Sequence, residues 1–212
     1  ISDLVSRLNE LSLNGFNVTI PHKQTILPML QEITTEAAAI GAVNTVFVDR
    51  IPGNVRLSGH NTDAGGFRMA IEEHRVPLTG QALILGTGGA AKAAGHVLHE
   101  AGTSFQYVSR TPGPGILSYE ELSVDTIAGA QLIINATPLG MMPDTSSYPP
   151  IPFGGIHAGQ YLFDMVYNPL ETSFLQKGRS CGANIITGLG MLHHQADLAL
   201  AWWLEKLGMG NT

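Results

Sequence analysis

The run Gln81-Ala82-Leu83-Ile84-Leu85-Gly86-Thr87-Gly88-Gly89-Ala90-Ala91 decides how this chain is read. Ala82 to Leu85 is a short unbroken apolar stretch, the pattern of a strand buried on both faces. Gly86-Thr87-Gly88-Gly89-Ala90-Ala91 follows at once and matches the G-x-G-x-x-A form of a dinucleotide-binding turn. Gly86 permits the tight strand-to-helix turn, Gly88 lets the backbone approach a pyrophosphate, and Ala91 is small enough for the helix to pack close to the strand. Gly89 and Ala90 stand at the helix start, where free N–H groups and the positive dipole end favour phosphate. A glycine-rich turn alone is a weak signal. The strand before it, the Ala-rich helix from Ala90 to Ala101 and the strand from Phe105 to Val108 supply the context the motif requires.

Working outward, strand-like and helix-like segments continue to alternate. Gln131 to Asn135, Tyr161 to Asp164 and Ala183 to Ile186 read as strands. A short helix is expected around Tyr119 to Leu122, and another from Leu170 to Lys177. This alternation implies a parallel sheet covered by helices, an α/β Rossmann-type domain from about Asp63 to Thr187. Thr111 to Gly115 and the proline-bearing stretch from Met142 to Pro152 are expected to be irregular. Before Asp63 the pattern is looser: Val18-Thr19-Ile20 and Thr45 to Val48 look like strands, and Lys23 to Ile40 looks broadly helical despite Pro28. Leu189 to Leu207 reads as one long helix with apolar spacing at Leu192, Ala196, Ala199 and Trp203. The expected organisation is a smaller α/β lobe over 1–62, the cofactor domain over 63–187, and a C-terminal helix over 188–212 that returns to the first lobe. A ligand would lie between the lobes, beyond the carboxyl ends of the parallel strands.

Composition narrows the function classes. The chain is 44% hydrophobic and 13% charged, which supports a buried core and argues against disorder. Its net charge is −6, so a nucleic-acid partner is not expected. The longest apolar run near the C-terminus, Leu198 to Leu204, is far short of a membrane span. The single cysteine, Cys181, rules out an internal disulfide and fits a reducing cytoplasm. The sequence starts at Ile1 and shows no signal peptide, and it reads as a fragment or a processed form.

The second strand of the sheet carries the cofactor choice. It runs into Val108-Ser109-Arg110-Thr111. An NAD site commonly places an acid about 20 residues beyond the glycine turn to accept from the ribose hydroxyls. This chain has Arg110 between two hydroxyls instead, and a guanidinium can grip a 2′-phosphate through several N–H donors. That favours NADP. The competing reading is a solvated surface arginine.

Several further motifs point to one family. Asn17-Val18-Thr19-Ile20-Pro21-His22-Lys23, Gly41-Ala42-Val43-Asn44-Thr45 and Gly59-His60-Asn61-Thr62-Asp63-Ala64-Gly65-Gly66 stand in order before the glycine turn. Asn135-Ala136-Thr137-Pro138-Leu139-Gly140-Met141, Asp164-Met165-Val166-Tyr167-Asn168-Pro169 and Gly188-Leu189-Gly190-Met191-Leu192, with Gln195 beyond, stand in order after it. Each is weak alone. The ordered set, from Gly15 to about Gln195, resembles the shikimate dehydrogenases. The resemblance implies reversible reduction of 3-dehydroshikimate to shikimate with NADPH, a step of aromatic amino acid and chorismate biosynthesis, by a monomer or homodimer.

It also implies roles. Lys23 and Asp63 map onto the family's catalytic pair. Hydride transfer to a ketone leaves negative charge on oxygen, and a lysine with an acid partner can stabilise that charge and exchange a proton with it. Thr19, Asn44, Tyr167 and Gln195 map onto substrate contacts, and neutral donors and acceptors suit a polyhydroxylated ring. Thr137, Met165, Gly188 and Met191 map onto the nicotinamide side, with Gly86, Gly88, Gly89, Ala90, Ser109, Arg110 and Thr111 holding the rest of the cofactor. Plainer readings compete: a solvated lysine at a helix start for Lys23, a helix N-cap for Asp63, turn hydrogen bonds for the neutral polar residues, and core filling for Met165 and Met191. A metal site at His193 and His194 is not expected, because adjacent helical residues point in different directions.

Two departures from the family pattern matter. The family's N-terminal paired-serine motif, of the H-S-x-S-P type, is absent; Ser2, Ser6 and Ser12 are not in matching context. The substrate lobe is therefore expected to lack its carboxylate anchor and a strand, and the chain alone to turn over poorly. Ser109 stands where the family usually has Asn. The alternative functions are a quinate/shikimate paralogue using NAD or NADP, and a cofactor-binding regulatory module or remnant. A methylenetetrahydrofolate dehydrogenase, which also pairs a lysine with a Rossmann domain, is disfavoured by the ordered Asn-Thr-Asp and Tyr-Asn-Pro motifs.

Overall fold

The chain builds two sheets, and the computed structural model describes residues 4–52 and 54–209 of it. Ser2 of the serines considered above lies outside the described residues. The first part runs α1 (Leu4–Glu10), β1 (Gly15–Asn17), β2 (Glu32–Ile33), α2 (Thr35–Ile40), β3 (Thr45–Ile51) and β4 (Asn54–His60). These strands form a four-stranded sheet in the order β1-β3-β4-β2, antiparallel except for the β2–β4 pair. Leu8, Val18, Ile26, Ala37, Val43, Val46, Val48 and Leu57 make its core. The chain then passes through α3 (Thr62–Glu73) into β5 (Gln81–Leu85), α4 (Gly89–Glu100), β6 (Phe105–Val108), β7 (Ile116–Leu117), α5 (Val124–Ala128), β8 (Ala130–Asn135), β9 (Tyr161–Asp164), α6 (Ser173–Ser180), β10 (Asn184–Ile186) and α7 (Leu189–Lys206).

The second sheet has six strands, all parallel, in the order β10-β9-β8-β5-β6-β7. This is the α/β Rossmann-type architecture. Side chains alternate across it as strand geometry requires. Ala82, Ile84, Leu132, Ile134 and Phe163 pack on one face with Phe67 of α3, Val97 and Leu98 of α4 and Met191 of α7. Leu83, Leu85, Ile133 and Leu162 pack on the other face with Ile127 of α5 and Phe174 and Leu175 of α6. Both faces are covered, which is why β5 and β8 read as unbroken apolar runs. The chain winds from β5 outward through β6 and β7, then crosses back to β8 on the other side. The strand order therefore reverses between β5 and β8, and their carboxyl ends open the crevice where such sheets take ligands.

Several local expectations are corrected. Val18-Thr19-Ile20 is not a strand: β1 ends at Asn17, Val18 N donates once to Asn44 O (2.7 Å), and the chain then turns away. Lys23 to Ile40 is not one helix. Turns lead to a single 3-10 turn at Leu27–Met29 around Pro28; Glu32–Ile33 then pairs with β4, and α2 starts only after Thr34, whose hydroxyl caps Ala37 N. A proline cannot donate within a helix, and the β2–β4 ladder claims the next residues. Helix α6 starts at Ser173, later than Leu170, because Thr172 is its N-cap. The short strand β7, inside a stretch with no strand signal, is held by pairing to β6. Asp63 is not the N-cap of α3: Asn61 is, accepting from Ala64 N at 3.1 Å. Ala196 is exposed, so the buried face of α7 is set by Met191 and Ala199, with Leu198 and Trp203 half-buried.

Helices α3 and α7 approach closely because α3 carries adjacent glycines. A Cβ on Gly65 would lie 2.6 Å from Leu198 Cδ1, and one on Gly66 would lie 2.9 Å from Met191 O and 3.0 Å from Gln195 N, both backbone atoms. The far end of α7 reaches the first sheet, where Trp203 Nε1 donates to Val46 O (3.0 Å) and the Trp202 ring lies 5.2 Å from that of His60. Backbone cannot yield as a side-chain tip can. Gly66→Ala is thus expected to destabilise the protein by about 1–2 kcal/mol, overpacking outweighing the roughly 1 kcal/mol that helix propensity returns. Urea unfolding reads this directly; an unchanged or higher midpoint would contradict the close-packing account.

Candidate active site

The site is assembled from the turn after β1, the residue before β3, the β4–α3 connection and the carboxyl ends of the parallel strands. Lys23 follows β1 by a short turn, and its backbone is fixed by Val43 N donating to Lys23 O (2.8 Å). Asp63 sits in the first turn of α3, where a carboxylate is favoured by the helix dipole. Asn61 positions that turn twice over: its Oδ1 accepts from Ala64 N, and its Nδ2 donates to Ala42 O at 2.9 Å. Lys23 Nζ then meets Asp63 Oδ2 at 2.6 Å, with side chains 14% and 6% exposed. Sequence places these two residues forty positions apart, and the fold brings them into one ion pair.

Asn44 secures the other carboxylate oxygen. Its amide donates to Asp63 Oδ1 (3.0 Å), Thr62 Oγ1 (2.9 Å) and Gln195 Oε1 (3.2 Å), while its Oδ1 accepts from Thr62 N (2.7 Å). Asn44 is only 2% exposed. Its geometry is that of a residue that holds Asp63 and Gln195, a role the sequence did not reveal. Thr62 is equally embedded and was missed because it reads as a helix-start threonine. Thr45 belongs to the same network, at 3.1 Å from both Asn44 Oδ1 and Thr62 Oγ1.

A cleft of about 590 Å³ opens on this pair. Thr19, Lys23, Asn44, Asp63, Ala90, Thr137, Met165, Tyr167, Gly188, Met191 and Gln195 all line it. Residues not singled out from sequence also line it, among them Asn17, Ile20, Pro138, Met141, Met142 and Leu192. Met141, Met142 and Tyr167 are exposed at its walls. A smaller cavity of about 250 Å³ between α3 and α4, lined by Arg68, Glu72, Val97 and Glu100 among others, holds none of the expected site residues. Among the described residues, no three His, Cys, Asp or Glu side chains are grouped to hold a metal ion, and no helix is long and apolar enough to cross a membrane. His194 Nε2 lies 3.1 Å from Glu73 Oε2.

The glycine turn fits a dinucleotide. Gly86 has φ +112°, a backbone conformation disfavoured for other residues, and packs against Ala136 O at the β5–β8 switch. A Cβ on Gly88 would meet no protein atom within 4 Å, so nothing in the fold demands glycine there, and its backbone lies open to close approach by a ligand. No side chain caps the start of α4, so its first N–H groups are available to phosphate oxygens. Ser109, Arg110 and Thr111 lie outside the lining of the main cleft, at the carboxyl end of β6, with Arg110 exposed and Ser109 Oγ accepting from Thr111 N at 3.2 Å. Gly188 is required by packing: a Cβ there would lie 2.5 Å from Met165 O.

The loops beyond β8 and β9 are tied together by a second carboxylate. Asp164 accepts from Asn135 Nδ2 (2.9 Å), Val166 N (2.9 Å) and the Thr172 hydroxyl (2.5 Å). Asn135 Oδ1 accepts from Thr137 N and Thr137 Oγ1, at 3.1 and 2.6 Å. This network sets the backbone that carries Thr137, Met165 and Val166 to the cleft. Asp164 is fully buried, and burial pushes its carboxyl up to about 6 against the three hydrogen bonds it accepts.

Comparison with known proteins gives a consistent picture. The model of the shikimate dehydrogenase substrate binding domain matches residues 1–46. An NADP(+) shikimate dehydrogenase of Carboxydothermus hydrogenoformans is 39% identical over 212 residues, covering 92% of this chain and 74% of that one. The crystal structure of shikimate 5-dehydrogenase from Thermus thermophilus in complex with NADP(H) and shikimate superposes with a TM-score of 0.83 at 36% identity, covering 97% of this chain and 79% of that one. Quinate dehydrogenase from Corynebacterium glutamicum in complex with NAD gives a TM-score of 0.80 at 28% identity, covering 97% and 77%.

The buried Asp164 makes stability depend on pH with a defined sign. Its folded-state pKa, about 6, is above the ordinary carboxylate value of 3.8, so the folded protein holds a proton there that the unfolded chain has lost. Stability from this group is greatest below about 4 and declines as pH rises through about 6. In Asp164→Asn, the Thr172 hydroxyl can reverse and accept from the new amide. The wild type is expected to lose on the order of 3 kcal/mol relative to this variant between pH 4 and 7, an upper figure for a buried group. Urea midpoints of both proteins across that range test it; a pH-independent difference would refute the assignment.

Proposed function

The chain belongs to the shikimate dehydrogenase family, and on that premise we propose that it interconverts 3-dehydroshikimate and shikimate with NADP(H), using Lys23 and Asp63 as its acid–base pair. The observation that carries this reading is the 2.6 Å contact between Lys23 Nζ and Asp63 Oδ2, in a cleft also lined by Ala90 of the glycine-turn helix and by the residues that follow β8 and β9. When bound, NADP(H) supplies or accepts the hydride. The ammonium of Lys23 donates to the carbonyl oxygen that becomes the alkoxide, and passes it a proton. Asp63 keeps Lys23 aimed at that oxygen, and Asn44 fixes the carboxylate from its other side. With only 14% of the lysine side chain exposed, the contact acts in a partly dry setting where electrostatic stabilisation is stronger than in water.

Thr19, Asn44, Tyr167 and Gln195 are proposed to surround the ring hydroxyls. Gln195 is held by Asn44, while its Nε2 donates to Leu192 O (3.0 Å), so its orientation is set before substrate arrives. Gly86, Gly88, Gly89 and Ala90 are proposed to cradle the pyrophosphate, Ser109, Arg110 and Thr111 the 2′-phosphate, and Thr137, Met165, Gly188 and Met191 the nicotinamide. In this division residues 1–62 and the helix from 188 onward form the substrate lobe, and 63–187 the cofactor domain. The half-buried lone Cys181 fits a reducing cytoplasm. The exposed Arg110, with no acid at that strand end, favours NADP over NAD.

Turnover with shikimate and quinate, each with NADP and NAD, tests the assignment; faster turnover of quinate would move the chain to the paralogue reading, and none at all to the cofactor-binding module. Lys23→Ala is expected to lower kcat by about a thousandfold while NADP affinity stays within about threefold. Undiminished turnover in that variant would remove Lys23 from the chemistry. Arg110→Ala is expected to raise KM for NADP by roughly ten- to a hundredfold and leave KM for NAD nearly unchanged.

A further inference from the structure

Gly89 belongs to the glycine turn and opens α4, yet the face where its side chain would stand is turned to the other lobe. A Cβ on Gly89 would lie 2.8 Å from Lys23 Cβ, 3.1 Å from Lys23 Cδ and 3.3 Å from Ala42 Cβ. Gly88, its neighbour, would direct a Cβ into open space. One turn along α4, Lys92 Nζ donates to Gln24 Oε1 at 2.8 Å, so the same helix end holds the residue after Lys23 as well. The Lys23 segment is held as well by Val43 N, which donates to Lys23 O, and by Asp63.

We propose that Gly89 is a positioning residue for Lys23: its bare backbone seats the aliphatic stem of the lysine so that the ammonium reaches Asp63, and the Lys92–Gln24 contact fixes the same segment from the next turn. The claim rests on Lys23 being the proton donor described above. Adjacent glycines then serve different needs: Gly88 is bare for the pyrophosphate, whereas Gly89 offers the pyrophosphate only its backbone N–H, which an alanine keeps, and is bare for the lysine. The Cβ of Lys23 is the root of its side chain and cannot swing aside as a tip would. Carbon atoms pack at about 3.5–4.0 Å, so an added methyl at 2.8 Å displaces Lys23 by roughly 1 Å. A displacement of that size at a reacting group costs on the order of a hundredfold in rate.

The test compares Gly89→Ala, Gly88→Ala and Gln24→Ala in the full chain by three measurements: NADP dissociation constant, kcat at saturating cofactor and shikimate, and acylation of Lys23 by an amine reagent in the ligand-free protein, quantified by mass spectrometry. Gly89→Ala is expected to lower kcat about thirty- to a hundredfold, to leave NADP affinity within about threefold, and to raise Lys23 labelling several-fold as the ion pair opens. Gly88→Ala is expected to do the reverse, weakening NADP and leaving Lys23 labelling unchanged. Gln24→Ala, at an exposed residue outside the glycine turn, is expected to raise labelling and lower kcat more mildly, and it decides the matter if Gly89→Ala does not fold. Weakened NADP binding with unchanged Lys23 labelling in Gly89→Ala, or unchanged labelling in Gln24→Ala, would overturn the proposal. Absence of turnover by the wild type would defeat the assigned reaction instead, and the labelling result would still decide the packing claim.

Discussion

Lys23 and Asp63 bring a positive and a negative charge out of bulk water into a 2.6 Å contact, and much of the surrounding structure exists to hold them there. Such a pair is a poor source of stability, because desolvating both groups offsets most of their attraction. Its supporting bonds are correspondingly numerous. Val43 fixes the lysine backbone, Asn61 caps and tethers the helix bearing the acid, and Asn44 takes the second carboxylate oxygen. Among the described residues no buried side-chain nitrogen or oxygen lacks a partner. A satisfied network of this kind prevents the pair from relaxing toward solvent and leaves the remaining lysine protons for a ligand.

The same pair couples the two sheets. Lys23 comes from beside the first sheet; Asp63 starts the helix that leads into the second; α4, emerging from the glycine turn, presses on the lysine stem. Helix α7 closes the circuit, touching Gly66 of α3 near Gln195 and Val46 of the first sheet through Trp203. Close helix approach at Gly65, against the Leu198 side chain, and at Gly66, against the α7 backbone, is what lets one helix serve both ends. The cleft therefore has walls drawn from both sheets while its lysine–aspartate ion pair is fixed by short-range bonds.

Where sequence was informative, the period of the signal matched the structure that buries it. β5, β8 and β9 are covered on both faces and show as continuous apolar runs, and the glycine turn between β5 and α4 has a steric reason at Gly86. The Lys23–Asp63 pair was legible only through resemblance, since no local pattern brings residues forty apart together. Lys23 to Ile40 looked broadly helical despite Pro28, whereas pairing of Glu32–Ile33 with β4 and the cap at Thr34 decided the outcome. Those determinants are non-local. β7 was invisible for the same reason: two residues become a strand only because β6 offers an edge. Asn44 and Thr62 were underestimated because hydrogen-bond saturation is a property of the folded site, and a sequence shows only that they are polar.

Asp63 and Asp164 make an instructive comparison, because each accepts a hydrogen bond from a buried asparagine amide, Asn44 at 3.0 Å and Asn135 at 2.9 Å. Their remaining partners differ. Asp63 meets an ammonium; Asp164 meets a backbone N–H and a hydroxyl, with no cation. Neutral donors do not fully replace water around a buried anion, and the carboxyl of Asp164 is accordingly pushed up to about 6. A group in that condition stabilises the loops it ties by geometry more than by charge. The two clamps divide the labour of the cleft. One pairs an acid with a lysine at the cleft, and the other holds the loops that carry Thr137, Met165 and Val166 to it. Exchanging their partners would fail on both sides: an uncompensated anion at the cleft, and a cation buried under loops that require only hydrogen bonds.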